Sequence, residues 1–290
     1  METSWLQELQ RNKKPDCEKL LDHLLQIHRD NPGFTEKYST NCIDSSGKNT
    51  YQWLAEVIER EDHREVLDLA CGSGPLLSHC HDKFGGNLSL TGVDISKAEL
   101  NLAEKRLPDT TTLIQAKAQN LEFIRDEEID VVLCHWALTL MDPVGPVLKE
   151  ISRVLRPGGT FAAIVDGDKS FSQEYEDVSE LIYSWVGKAY QNYGKYELGD
   201  VRVRQKETLQ ELIGHYFREE DITIQQKLFS VFGTPAKLAS NVANFFYASY
   251  ALPENMKPSL LDDLQEYFKN NEKVLNHEFR MPINRLIVRG

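Results

Sequence analysis

The stretch that most constrains this chain is Val66-Leu67-Asp68-Leu69-Ala70-Cys71-Gly72-Ser73-Gly74-Pro75. An apolar run carrying one acid ends in two glycines at one-residue spacing, and the amphipathic Leu76-Leu77-Ser78-His79-Cys80 follows. That order predicts a strand, a tight turn and a helix. Gly72 and Gly74 have no Cβ, so the backbone can turn sharply and a ligand can lie against it. A turn at the carboxyl end of a parallel strand is where nucleotide ligands commonly sit. Alone, the glycine pair is equally well an ordinary turn, and the surrounding pattern has to decide.

Four downstream features extend the pattern. Leu90-Thr91-Gly92-Val93-Asp94-Ile95-Ser96 is a second apolar run ending in an acid, 20 residues beyond Gly74. Ala116-Lys117-Ala118-Gln119-Asn120-Leu121 follows a third short apolar stretch, and Ile129-Asp130-Val131-Val132-Leu133-Cys134-His135-Trp136 is a fourth strand-like run. The run Leu148 to Arg156 reads as a helix stopped by Pro157-Gly158-Gly159, before Thr160-Phe161-Ala162-Ala163-Ile164-Val165. Ser96 is placed as an N-cap with Glu99 at the capping-box position, for a helix ending near Arg106 and broken by Pro108. Short strands alternating with helices imply an α/β fold, a parallel sheet with helices on both faces.

Over roughly residues 50–168, this order of motifs resembles the class I S-adenosylmethionine-dependent methyltransferases. The resemblance implies a Rossmann-like, doubly wound, seven-stranded sheet whose last strand is antiparallel, and Asn284-Arg285-Leu286-Ile287-Val288 fits that closing strand. It implies S-adenosyl-L-methionine as cofactor and S-adenosyl-L-homocysteine as product. The tail resembles more loosely the small-molecule carboxyl methyltransferases of the trans-aconitate and malonyl-carrier-protein type. The expected organisation is an N-terminal helical lid at 1–60 and a cofactor-binding core at 61–168. A helical cap insertion at 169–215 and a C-terminal part of the sheet with further helices at 216–290 complete it. In the lid, Phe34, Tyr38 and Tyr51 are candidates for closing over the cofactor, with aromatic packing as the plainer reading. The insertion is rich in aromatic residues, Tyr175, Tyr183, Trp185, Tyr190, Tyr193 and Tyr196, as an apolar acceptor pocket or an ordinary core would be.

The resemblance also distributes roles. A carboxylate at the end of the second strand accepts two hydroxyl hydrogen bonds, which assigns Asp94 to the ribose diol. Asp68 is assigned to the methionine ammonium, the backbone of Ala70, Gly72 and Gly74 to the amino-acid moiety, and Ile95 to the adenine face. The Ala118 amide and Gln119 meet the adenine's polar edge, although Lys117 and Gln119 stand where acids are common in the family. Cys134 contributes its carbonyl. His135 is the candidate catalytic residue, being the one obvious group there that titrates near neutrality; a cofactor or substrate contact, or packing, are the alternatives. Methyl transfer to a carboxylate needs no base, because alignment of nucleophile, methyl and sulfur supplies much of the acceleration. Trp136 is placed against the substrate. Arg202 and Arg204 suit a bound carboxylate, with a solvated charged face as the alternative reading.

Composition narrows the partners. The net charge of −12, with no obvious basic cluster, argues against nucleic acid. The polar start Met1-Glu2-Thr3-Ser4-Trp5 is no signal peptide, and no apolar run reaches membrane-spanning length. Five cysteines without close pairing read as reduced thiols in the cytoplasm. His79, Cys80 and His81 would not share one helix face, so no metal is expected. The expected function is methylation of a small molecule, at oxygen by preference, with a carboxylate as a candidate acceptor. A small-amine N-methyltransferase and a non-catalytic cofactor-binding regulator or partner subunit are the alternatives. The Asn-Pro-Pro-Tyr type motif of amide and adenine N-methyltransferases is absent. A nicotinamide-dependent dehydrogenase fits poorly, since Leu77 stands where a third glycine or alanine is expected.

Overall fold

The computed structural model describes residues 2–59, 61–194, 198–270 and 278–290, so Tyr196 of the aromatic insertion and its neighbour Lys195 lie outside the described residues. Four helices open the chain: α1 (Ser4–Gln10), α2 (Cys17–Asp30), α3 (Phe34–Ser39) and α4 (Thr50–Leu54). The alternating part runs β1 (Glu65–Leu69), α5 (Pro75–Phe84), β2 (Ser89–Asp94), α6 (Lys97–Arg106), β3 (Thr112–Gln115), β4 (Ile129–His135), α7 (Gly145–Val154) and β5 (Leu155–Asp166). Then come α8 (Gln173–Ala189), α9 (Lys206–Gly214), β6 (Ile222–Phe232), α10 (Pro235–Phe245), α11 (Tyr247–Tyr250), α12 (Lys257–Asn270) and β7 (Glu278–Arg289).

The strands form one seven-stranded sheet in the order β3-β2-β1-β4-β5-β7-β6. β1 to β5 pair in parallel, and β7 runs antiparallel to β5. This is the doubly wound, Rossmann-like sheet with an antiparallel last strand that the motif order implies. β4 is apolar almost throughout because helices cover both of its faces, and Val131 to Cys134 are fully buried.

The chain divides into two compact units. One comprises the described residues of 50–168, 198–227 and 283–290 and holds the sheet core. Its apolar centre includes Leu67, Leu69, Val132, Leu148, Ile151, Phe161 and Leu286. Asp130 closes its amino edge. The Asp130 carboxylate accepts the backbone N–H groups of Arg64 and Glu65 and pairs with Arg156 at 2.6 Å. The other unit comprises the described residues of 1–49, 169–197 and 228–282 and is mainly helical. There Trp185 donates to Asp263 at 2.8 Å, Tyr267 donates to Asp177 at 3.0 Å, and Arg280 pairs with Glu174. Phe34 packs edge-on against Tyr247, Tyr38 stacks on Phe245, and Tyr175 lies against Phe246 and Phe279. Among the described residues no helix is long and apolar enough to cross a membrane, and no group of three His, Cys, Asp or Glu side chains is placed to hold a metal.

Local signals fix most element ends. The side chains of Asp16, Ser96 and Thr234 accept the N–H three residues on and start α2, α6 and α10. One end differs from expectation. The helix expected to stop at Pro157-Gly158-Gly159 ends at Val154, and those residues lie within β5. Leu155 already pairs with Ile129, and the register of β4 against β5 shifts between Ile129 and Val131. Gly158 has φ +79°, and a Cβ on Gly159 would lie 2.9 Å from the Arg156 carbonyl oxygen. The glycine pair therefore serves a strand irregularity at close backbone approach, where the sequence reads as a helix stop.

Candidate active site

The carboxyl ends of β1, β2 and β4 converge on one edge of the sheet. Asp68 on β1 is aligned with Gly92 on β2 and Leu133 on β4. The turn after β1 departs sharply from extended backbone: Ala70, Gly72 and Gly74 have φ of +62°, +54° and +79°. Gly74 then caps α5, whose first residue is Pro75. A Cβ on Gly74 would lie 2.8 Å from Leu107, so this glycine also lets α6 and its end approach the turn. Ala70 is not a glycine, and an L-residue held in the left-handed region is the kind of local strain that collects at binding sites. Trp136, directly after β4, is the second such residue, with φ +62°. Its N–H is fixed to the Ile164 carbonyl at 3.0 Å, and its carbonyl accepts the Thr139 hydroxyl at 2.9 Å.

Asp94 ends β2 and is buried. Its Oδ2 accepts the Gly72 N–H at 2.8 Å and its Oδ1 accepts the Ser96 N–H at 2.7 Å. Asp68 is 1% exposed, and its Oδ1 finds no hydrogen-bond partner among the described residues. Burial, together with the nearby Asp94 charge, pushes its carboxyl up to about 8. Glu99 comes within 4.0 Å of where a Gly72 Cβ would be and is itself buried. The Cys71 thiol lies among all of these; burial first, then the charges of Asp68, Asp94 and Glu99, push it well up from the ordinary thiol range. A turn ringed by three carboxylates suits a cationic ligand and disfavours a pyrophosphate.

His135, the last residue of β4, pairs through Nε2 with the Thr50 Oγ1 at 2.8 Å, and its ring stacks on Tyr51 at 4.0 Å. Burial pushes the imidazole down to about 3, which keeps it neutral at physiological pH. Cys134 beside it is fully buried, and burial pushes its thiol up to about 12. Ile95 follows Asp94 directly, and its carbonyl accepts Gln115 Nε2 at 3.1 Å. Ala118 and Gln119 are half-buried in the loop after β3, which starts from the bond of the Ala116 N–H to the Asp94 carbonyl at 3.1 Å.

Asp68, Ala70, Gly72, Gly74, Asp94, Ile95, Cys134, His135 and Trp136 thus lie at one sheet edge, and Ala118 and Gln119 on the loop leaving it. The two arginines have other commitments. Arg202 grips Asp200 through Nε and Nη2 at 3.0 and 2.6 Å, and Arg204 donates to the Leu198 carbonyl at 2.6 Å. They follow Gly199, which packs on the backbone of Thr139 and Leu140. The sequence reading did not bring Thr50 or Tyr51 to His135, nor Glu99 to the glycine turn. The first contact spans 85 residues and leaves no local signal, while Glu99 was visible only as a capping residue.

The sheet order and this edge are similar to those of the class I S-adenosylmethionine-dependent methyltransferases, a Rossmann-like class of domain. Residues 67–163 match the family model described as a methyltransferase domain, and that part of the chain carries a methyltransferase domain. It is 26% identical over 193 residues to a sterol 4-C-methyltransferase from Caenorhabditis elegans, across 62% of this chain and 57% of the relative. It is 32% identical over 141 residues to a demethylmenaquinone methyltransferase from Symbiobacterium thermophilum, across 46% of this chain and 55% of that protein. The chain therefore spans little more than half the length of these two relatives. Its fold is similar to a Haemonchus contortus phosphoethanolamine N-methyltransferase solved with phosphomonomethylethanolamine and S-adenosylhomocysteine. That likeness has a TM-score of 0.56 at 17% identity, over 95% of this chain and 60% of the other.

Proposed function

We propose that this chain is an S-adenosylmethionine-dependent methyltransferase that methylates a small molecule at an oxygen already ionised in solution, a carboxylate in the first instance. The observation that carries the cofactor reading is the placement of a buried Asp68 oxygen, which has no hydrogen-bond partner among the described residues, beside a β2-terminal Asp94 at the strained glycine turn. Those residues fit the group: Asp68 receives an ammonium, Asp94 a diol, and the left-handed turn presents backbone to both. When bound, the cofactor supplies a methyl group on a sulfonium.

The oxygen reading rests on His135. Its Nε2 is engaged by Thr50 and the ring is held neutral with a conjugate acid near 3. Such an imidazole is too weak a base to deprotonate an alcohol or an alkylammonium. A carboxylate is ionised at neutral pH without help, so the strand end only has to align it. The same observation disfavours the small-amine alternative. For Arg202 to hold that carboxylate, it would have to exchange Asp200 for it. No disulfide joins the cysteines among the described residues, which supports a reducing, cytoplasmic location.

Calorimetric titration with S-adenosylhomocysteine, with NAD and NADP as controls, tests the cofactor. Saturable binding of the homocysteine compound alone is expected, and nicotinamide binding in its place overturns the reading. Transfer of labelled methyl to a panel of carboxylic acids, amines and phenols then tests the acceptor. Cofactor binding with no transfer to any class would favour a regulatory subunit.

A further inference from the structure

One row of the sheet links the strand-end imidazole to the last strand. His135 on β4 is aligned with Ile164 on β5, and Ile164 with Arg285 on β7. Residues aligned across strands project to the same face, so His135 and Arg285 share a face two strands apart, about 10 Å at ordinary strand spacing. Helix α4 lies across that interval and is fastened at both ends. Thr50 pairs with His135 Nε2 at 2.8 Å, and three residues on the Trp53 carbonyl accepts Arg285 Nη1.

Arg285 is 7% exposed and has every arm engaged. Its Nε and Nη2 donate to Gln225 Oε1 at 3.2 and 2.6 Å, its Nη1 lies 3.3 Å from Glu56, and its guanidinium stacks over the Trp53 ring at 4.6 Å. Burying a guanidinium gains little stability over an apolar side chain of similar volume. What the planar fork adds is direction: it fixes the carbonyl of Trp53 and the carboxylate of Glu56 at once, which neither leucine nor lysine does. We propose that Arg285 is a positioning residue for the acceptor end of the site, holding α4 so that Thr50 and Tyr51 keep the His135 ring in one orientation and one tautomer. The inference rests on the methyltransferase reading only in naming that strand end the acceptor side.

Nitrogen-15 NMR of the histidine rings in the full chain tests it, with His135 assigned from H135Q. Thr50→Val gives the signature of a released ring: altered ring-nitrogen shifts at pH 7 and a changed tautomer population. Arg285→Met and Arg285→Lys are expected to reproduce that signature. A lowered melting temperature with the His135 shifts unchanged would make Arg285 merely structural and overturn the proposal. Should Arg285→Met not fold, Gln225→Leu removes an exposed anchor of the same guanidinium, and an unmoved His135 there overturns it equally. Failure of the parent to bind S-adenosylhomocysteine would sink the functional reading while leaving the His135 result to decide this one.

Discussion

The carboxylate of Asp94 accepts the backbone N–H of Gly72 at 2.8 Å, so the acid that ends the second strand also closes the turn that follows the first. Its other oxygen accepts the Ser96 N–H at 2.7 Å. Asp94→Ala leaves the buried Ser96 N–H and the half-buried Gly72 N–H unpaired, the first costing roughly 1–3 kcal/mol and the second less, and should lower the melting temperature as well as cofactor affinity. Asp94→Asn keeps one acceptor and should lose less stability. It should still bind S-adenosylhomocysteine about tenfold or more weakly, since a hydrogen bond to a charged group contributes about 1.5–3 kcal/mol. Differential scanning calorimetry beside titration calorimetry separates the two effects, and unchanged affinity in Asp94→Asn removes the residue from the ribose.

Asp68 ties affinity and stability to pH with opposite signs. Its folded carboxyl lies at about 8 because it is buried beside Asp94, far above the unfolded value near 3.8. A raised acid favours the fold most below the unfolded value. That contribution falls by about 1.4 kcal/mol per pH unit between the two values and is gone above about 8. An ammonium ligand needs the charged form, so cofactor affinity should rise as pH climbs toward 8, with a proton released on binding. Titration in buffers of different ionisation enthalpy measures that proton. Asp68→Asn should melt higher than the parent at pH 8 and bind S-adenosylhomocysteine more weakly; a lower melting temperature would mean the folded carboxyl is not raised.

These two acids were legible in the sequence because Asp68 sits within one apolar run and Asp94 ends the next, and strand, turn and cap signals are local. The Ser96 cap was visible for the same reason. The contacts that orient His135 were not: Thr50 and Arg285 reach the same sheet row from opposite ends of the sheet unit's sequence, and nothing near either residue marks the pairing. The end of α7 failed differently. Pro157-Gly158-Gly159 carries one signal for two outcomes, a helix stop and a kinked strand, and the pairing of Leu155 with Ile129 selects the second. The regions read as a lid at 1–60 and a cap at 169–215 each contribute described residues to both compact units; contacts within one unit, such as the hydrogen bond of Trp185 to Asp263 and the packing of Tyr175 on Phe279, join distant segments with no periodicity to announce them.

Gly199 should tolerate no side chain. It has φ +83°, and a Cβ there would lie 2.1 Å from the Thr139 carbonyl oxygen and 2.8 Å from the Leu140 Cα. The nearest atoms are all backbone of residues 139–140 and leave nothing flexible to yield, so Gly199→Ala should cost roughly 2–4 kcal/mol from left-handed strain and overpacking together. Thr139 also holds the Trp136 carbonyl, so the displacement should reach the strand end. The expected outcome is a lower melting temperature with a changed Trp136 fluorescence spectrum, recorded against a W136F control. A variant that melts with the parent would show that this turn can separate from residues 139–140.

The opposite edge of the sheet supplies the contrast. Asp130 is the second residue of β4, which His135 ends, and its carboxylate is spent on the Arg64 and Glu65 N–H groups and on Arg156 at 2.6 Å. It is 5% exposed, so Asp130→Ala leaves two backbone donors and a guanidinium without their acceptor. A loss of roughly 2–4 kcal/mol is expected, mainly from the two backbone donors left unpaired, because the Arg156 side chain is 39% exposed and stays hydrated. Ligands of open α/β sheets bind outside the carboxyl ends of the strands, so whatever fraction stays folded should bind S-adenosylhomocysteine with the parent's dissociation constant. Titration calorimetry at a temperature well below the variant's melting point reads that constant. Weakened binding there would show that the register of β4, set at its amino end, is transmitted along the strand to His135 and Trp136.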